Sequence, residues 1–379
     1  MSVQLVAANL RRMRLAKGLS QERLAESAGL SRPAYRNLEK GVSTPRTATL
    51  MAVARALGVG VEQLLRPAPQ LRFVRFRSLK RLNTRDGILD DVASWLSDFR
   101  DLEELLGEPQ KFRLADLVIK DSGKPVDPVA LASRVRDRLG VGPKDAIRDI
   151  CGLIESSGVK VYSTNVASNA FFGMSVSEQD GGPAVVVNTW ERISVERWIF
   201  TAAHELGHLL LHAGAYDVGE TAEEKEEERE ANIFAAHLLM PKKAFESEWN
   251  DAYGMPLMDR VFKVKRIFRV SYRTILYRLS ESTTLGSAIW PRFRLLYSRK
   301  FGRPLGVADE PEPVTADAFS EALRSGEPET LSPADFKEDR LSALVRRAVE
   351  KHAISLSRGA EILRLSMRDM RDIAGSWVA

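Results

Sequence analysis

The sequence predicts a mostly α chain with a small mixed sheet, an α+β arrangement. A five-helix N-terminal domain, a central domain holding the strands and a helical C-terminal domain follow one another. Three observations predict it. Residues 6–65 break into short amphipathic runs separated by serine and glycine; β-branched and aromatic runs that read as strands are confined to 73–77 and 159–187; and helical apolar spacing returns at 257–287 and in 315–379. At 379 residues the chain exceeds one ordinary core. One cysteine, Cys151, excludes an internal disulfide framework and fits a reducing cytoplasm. No signal-like start and no long apolar stretch points to a membrane.

The N-terminal domain, 1–66, opens with an amphipathic helix from Val6 to Lys17 that Gly18 ends. Ser20 caps Gln21 to Ser27, Gly29 makes the turn, and Ser31 caps a third helix reaching Lys40-Gly41 with Pro33 in its first turn. Thr47 opens a fourth helix to Leu57, and Val61 to Leu65 forms a fifth. Residues 1–66 carry eleven Lys and Arg against four Asp and Glu, whereas the remainder is slightly acidic. All the net basicity of the chain therefore sits here, which points to an anionic polymer as partner.

Through Leu19-Ser-Gln-Glu-Arg-Leu-Ala-Glu-Ser-Ala-Gly-Leu-Ser31 and Asn37-Leu-Glu-Lys-Gly41 the segment resembles the XRE/Cro-type helix-turn-helix (HTH) family. The resemblance implies a third helix in the major groove of double-stranded DNA. Arg32, Tyr35 and Arg36 would then face base edges or nearby backbone, and Gln21, Lys40 and Arg46 would contact phosphates. It also implies a homodimer, since such proteins read paired half-sites. The basic charge of the third helix weighs against the competing reading, a fold turned to protein binding.

Residues 67–127 begin with a stiff hinge, Pro67-Ala-Pro69. Phe73 to Arg77 is a candidate strand, and Gly87 to Leu106 reads as connecting helix packed on the domain that follows. In the central domain, 128–303, helices are expected at 129–139 and around 145–155. Strands are expected at Val159 to Tyr162, Ala170 to Ser175 and Ala184 to Val187, the last two joined as a hairpin through Asp180-Gly-Gly182.

The chemistry concentrates in Phe200 to His212, which contains His204-Glu205-Leu206-Gly207-His208. On a helix, residues four apart project from one face, so the two imidazoles can converge on one ion. Zinc suits them: catalytic zinc takes three protein ligands and leaves a fourth position to water. Glu205, about 100° round from His204, is placed to take a proton from that water. Only five histidines occur in the chain, three of them between 204 and 212, on an otherwise apolar helix. Buried imidazoles and a buried carboxylate need partners, and a metal provides them.

Downstream, Glu226 to Pro241 reads as a second helix, acidic at its start and small along the face of Ala231 and Ala235, which lets it approach the first and deliver a carboxylate. Its Glu228-Arg-Glu-Ala-Asn232-Ile-Phe-Ala-Ala-His-Leu-Leu-Met-Pro241 resembles the second motif of the ImmA/IrrE family of zinc metallopeptidases, which have a zincin-like fold. The resemblance makes Glu228 the third ligand of Zn2+ and Asn232 a hydrogen-bond partner behind the ligands. Glu230 is the runner-up, His237 is not counted as a ligand, and His212 and Tyr216 are candidates for stabilising an oxyanion. In zinc peptidases of this plan an exposed strand pairs with the substrate backbone, and Ala184 to Asn188 is the candidate.

The helical pair at 257–287 has HTH-like spacing and the basic residues Lys263, Lys265, Arg266, Arg269, Arg273 and Arg278; packing under the site is expected, with a second nucleic-acid contact as the rival. Residues 304–314 read as a linker and 315–379 as a small helical domain. There Ile354 to Ser366 resembles an HTH-like tail, although Gly359 and Arg364 depart from its usual residues. The expected function is a cytoplasmic DNA-binding transcriptional regulator fused to a zinc-dependent metallopeptidase. Its expected substrate is a repressor, or a partner in a toxin-antitoxin or stress-response system. The alternative is a transcription factor or antitoxin whose peptidase-like domain senses a ligand or grips a partner without hydrolysis; a third reading is self-cleavage at the 67–70 hinge.

Overall fold

Serine side chains set the starts of the second and third helices of the N-terminal segment. The helices are α1 (Val3–Ala16), α2 (Gln21–Ser27), α3 (Arg32–Glu39), α4 (Thr47–Leu57) and α5 (Val61–Leu65). Ser20 Oγ accepts from the Arg23 amide at 3.1 Å and Ser31 Oγ from the Ala34 amide at 3.3 Å, each cap contributing about 1 kcal/mol. Gly29 takes φ +65° between α2 and α3, a conformation costly for a residue with a Cβ. Val6, Leu10, Leu24, Tyr35, Leu50, Val53, Leu57 and Leu64 form the core of this bundle. Glu39, nearly buried, receives both Arg14 Nε at 2.8 Å and Nη2 at 2.7 Å, which ties α1 to α3.

The computed structural model describes residues 3–16, 19–65, 71–76, 85–120, 126–216, 224–282, 286–306, 309–311 and 330–377. Gly18 and the 67–70 hinge lie outside them. The chain divides into two compact units, one of Met1–Leu71 with Arg81–Leu105 and one of Arg72–Lys80 with Leu106–Ala379. The long helix α6 (Arg85–Leu106) therefore falls almost wholly in the first unit, not with the central domain as expected. Burial pushes the Asp90 carboxyl on α6 up to about 6, opposed by the Arg12 guanidinium of α1. This polar pairing was not legible from the apolar periodicity that suggested the other partner.

The second unit is built on a four-stranded sheet of β1 (Val74–Phe76), β2 (Lys160–Thr164), β3 (Gly173–Val176) and β4 (Ala184–Asn188), in the order β1-β3-β4-β2. β3 pairs antiparallel with β4, the expected hairpin, and β2 lies parallel to β4. This corrects the expectation for Ala184 to Asn188. β4 is not an edge: it is hydrogen-bonded on both sides and buried along its whole length, so no peptide can add to it. β1, from the segment after the hinge, occupies the free side of β3 with Arg75 opposite Ser175. The Asp180 carboxylate fixes its start by accepting from the Arg72 and Phe73 amides.

Helices α7 (Pro128–Arg138), α8 (Ile150–Ser156), α9 (Val195–Leu211), α10 (Lys225–Leu239), α11 (Lys242–Asp251), α12 (Leu257–Phe268), α13 (Tyr272–Ser282) and α14 (Ile289–Phe301) complete the unit, with α15 (Arg340–Glu350), α16 (Leu356–Leu363) and α17 (Met367–Ser376). α8 is shorter than expected because Asp149 caps it and Asp145 instead accepts from the Gly142 amide. α9 packs on β3 and β4 on one side and on α10 on another, and α10 in turn packs on α7. Burying side chains such as Trp198, Leu206 and Leu210 stabilises by roughly 1.5–3 kcal/mol each. No helix among the described residues is long and apolar enough to cross a membrane.

The basic residues of α12 and α13 mostly point inward, which weighs against the rival reading of this pair as a second nucleic-acid contact. Lys265 pairs with Glu196 and Glu310, Arg269 with Asp335, and Arg278 with His237 and Glu281; all three side chains are at most a tenth exposed. Glu310, in the expected linker, is held by Lys265 and the Tyr272 amide. In the tail, a Cβ at Gly359 would meet Met370 and Val345 at 3.0 Å, which explains the missing methyl. Arg364 takes φ +57° and its guanidinium donates to the Tyr162 hydroxyl.

Glu155 on α8 accepts from the backbone amides of Asp339 and Arg340 at the start of α15. Burial pushes its carboxyl up to about 8, against those two amides. Unfolded, the group titrates near about 4.3. The folded state thus holds the proton more tightly; this contribution is complete below pH about 4.3 and is lost as pH rises through about 8. Glu155→Gln keeps an acceptor and removes the ionisation. Its Tm relative to wild type is expected to rise between pH 5 and 8.5, by about 2–4 °C for each kcal/mol removed. A difference constant with pH in thermal melts would refute this.

Candidate metal centre

The site is assembled by two helices that touch through their smallest residues. A Cβ at Gly207 of α9 would lie 2.9 Å from the Phe234 ring and 3.5 Å from Ala231 Cα, both on α10. This approach carries the acidic first turn of α10 up to the histidines of α9. His204 Nε2 and His208 Nε2 are 2.9 Å apart, and the Glu228 carboxylate reaches them at 3.5 and 3.1 Å. One ligand atom from each of the three residues fits within 4.8 Å of the other two. Two atoms bound tetrahedrally to zinc at their usual lengths stand about 3.3 Å apart.

The remaining ring nitrogens orient this cluster. Asn232 Oδ1 accepts from His204 Nδ1 at 3.1 Å. His208 Nδ1 meets His212 Nδ1 at 2.9 Å, and His212 Nε2 donates to Glu230 Oε2 at 2.9 Å. With Glu230 accepting from His212 Nε2–H, His212 Nδ1 accepts from His208 Nδ1–H. Both Nε2 lone pairs then point into the cluster beside a carboxylate. Three electron-rich atoms so close repel one another unless a cation sits among them, so the donor set fits a metal ion. Burial, then the neighbouring His204, holds His208 well below the usual imidazole range.

Glu205, 1 % exposed, projects toward the start of β3, where a Cβ on Gly173 would come 3.4 Å from its Cγ. Tyr216 donates to Ser175 Oγ at 2.8 Å, and burial raises its phenol. Arg75 of β1 forms an ion pair with Glu227, the neighbour of Glu228. A peptide could add to the strand beside Glu205 only where β1 now lies. Glu230, the alternative ligand, and His212, an oxyanion candidate, are both engaged in the relay behind His208. The spacing of His212, one turn beyond His208, was the signal that could have placed it there. His237 sits against Arg278, away from the cluster.

On the N-terminal unit Arg32, Arg36, Lys40 and Arg46 are exposed. Tyr35 corrects the expectation: it is fully buried, its hydroxyl donating to the Leu10 carbonyl at 3.4 Å, because it shares the core stripe of α3 with Leu38 three residues on. Gln21 is half-buried and its amide donates to Glu39 at 3.1 Å.

Comparison with known proteins gives two family matches. A helix-turn-helix family model matches residues 10–64, and the model of the IrrE N-terminal-like domain, a peptidase family, matches residues 154–280. The chain is 37% identical over 70 residues to the uncharacterized HTH-type transcriptional regulator y4dJ of Sinorhizobium fredii, covering 18% of this chain and 91% of that protein. Among solved structures, the apo competence regulator ComR of Streptococcus vestibularis is 14% identical, over 79% of this chain and 80% of that one, with a TM-score of 0.17. PlcR of Bacillus thuringiensis, in complex with the peptide PapR7 and DNA, is 10% identical over 98% and 99%, with a TM-score of 0.16. The chain thus belongs to the HTH-type regulators through its N-terminal DNA-binding domain, to which an IrrE-like peptidase-family domain is fused.

Proposed function

We propose that the protein is a DNA-binding transcriptional regulator whose second unit hydrolyses peptide bonds with zinc, held by His204, His208 and Glu228. What carries this reading is the convergence of two imidazoles and a carboxylate at the spacing of a tetrahedral site. An ion held there would supply Lewis acidity for water and for a peptide carbonyl. The Glu205 carboxylate would take a proton from the attacking water and return it to the leaving amine. Asn232, and Glu230 acting through His212, hold the two rings in register. Buried surroundings shield these groups from bulk water and strengthen each charge.

The exposed Arg32, Arg36, Lys40 and Arg46 support contact with double-stranded DNA by residues 1–66, which would act as a homodimer on paired half-sites. The substrate of residues 128–303 is then another regulatory protein, such as a repressor or a toxin-system partner. Metal analysis of the purified full chain tests the core of this reading. Wild type is expected to hold about one zinc per chain and His204→Ala less than about a tenth of that. Equal zinc in both proteins, or none in wild type after loading, would sink it.

A further inference from the structure

Beside the ligand cluster a cleft of about 760 Å³ opens between α9, α10, α13 and α14, and Glu228 and Asn232 form part of its wall. Whatever fills it reaches the cluster directly. Its size lies within the roughly 300–1,000 Å³ of clefts that enclose a small ligand, enough for about two or three peptide residues. The charged lining is lopsided. Arg197, Lys225, Arg229 and Arg273 face Glu196 and Glu228. Glu196 pairs with Lys265, and Glu228 belongs to the ligand cluster. Arg229 meets Glu226 at 2.8 Å, but that pair is about two-thirds exposed and screened by solvent. The rest of the wall includes the partly exposed aromatic side chains of Phe200, Tyr277 and Trp290, besides small and polar residues such as Ala236, Ser271 and Thr274. Unlike Lys265, Arg269 and Arg278, whose charges are turned into the core, Arg273 of the same helical pair lines this opening, its Nε donating to the Tyr272 hydroxyl.

Resting on the peptidase reading, we propose that the cleft is a specificity pocket for a carboxylate adjoining an aromatic or bulky apolar side chain, next to the bond presented at the metal centre. Guanidinium groups in a concave, partly desolvated wall favour a carboxylate through paired, charge-assisted hydrogen bonds. The aromatic side chains supply apolar area beside it. The carboxylate can belong to an internal Asp or Glu or to a chain end.

The full chain carrying Glu205→Gln, loaded with zinc, tests this by fluorescence anisotropy without turnover. The probes are fluorescein-labelled peptides of one common sequence with Glu-Phe, Gln-Phe or Lys-Phe at the centre and an amidated end, together with the Gln-Phe peptide bearing a free terminal carboxylate. The Glu-Phe or the free-carboxylate peptide is expected to bind about tenfold more tightly than amidated Gln-Phe, the tighter of the two naming the source of the carboxylate. Adding Arg273→Glu should remove that preference and favour Lys-Phe, whereas Arg273→Lys, which guards against misfolding, should retain most of it. Equal binding of charged and uncharged peptides, or a preference unchanged by Arg273→Glu, overturns the pocket. The two readings fail separately. If wild type shows the preference but cleaves none of these peptides, the peptidase reading falls and the pocket stands; cleavage without preference does the reverse.

Discussion

Glu205→Gln is expected to lower peptide hydrolysis by a factor of about 10²–10⁴, the usual contribution of a positioned general base, while zinc stays at the wild-type level. The amide has nearly the volume of the carboxylate and cannot take a proton. Glu205 is also not one of the three groups that converge at the cluster. Metal content and Tm should therefore separate this variant from His204→Ala, which loses the ion itself. Paired assays of hydrolysis and zinc content on each purified protein make the comparison. The experiment also decides between hydrolysis and a ligand-sensing or partner-gripping module. If Glu205→Gln leaves every regulatory phenotype intact while Arg36→Ala destroys operator binding, turnover is dispensable.

What could be read from the chain beforehand was what depends on residues close in sequence. The caps at Ser20 and Ser31, and the shared face of His204 and His208, follow from helical geometry alone. Tyr35 went astray because its role came from a motif position, although its three-residue spacing from Leu38 already placed it in the core. Long-range pairing was the harder part. Ala184 to Asn188 has the composition of either an edge or a central strand. It became central because β2 pairs with its other side, twenty-four residues away in register. Likewise, several acidic residues of the 226–230 run could reach an ion in a helical drawing. The three-dimensional position of His212 decides that Glu230 serves the relay and leaves Glu228 at the cluster.

Gly207→Val should uncouple the two helices that build the site. A helix interior ordinarily gains about 1 kcal/mol when glycine becomes alanine, so local propensity alone would retain a side chain here. Packing opposes it. The first added carbon already comes within 2.9 Å of Phe234 Cδ1, and Phe234 is fully buried. Valine adds two further methyls, and overpacking of this kind costs about 1–3 kcal/mol. The strain is relieved by moving α10 away from α9, which draws Glu228 from the histidines. Gly207→Val should therefore weaken zinc binding by about a hundredfold with helical circular dichroism unchanged. Gly207→Ala, where propensity and contact nearly cancel, should leave Tm close to wild type and weaken zinc less. Adding Phe234→Ala, which removes the contacting Cγ and Cδ1, should restore part of the affinity. Competition with a zinc chelator measures all three, and wild-type affinity in Gly207→Val would show that the approach of these helices does not set the distance between the ligands.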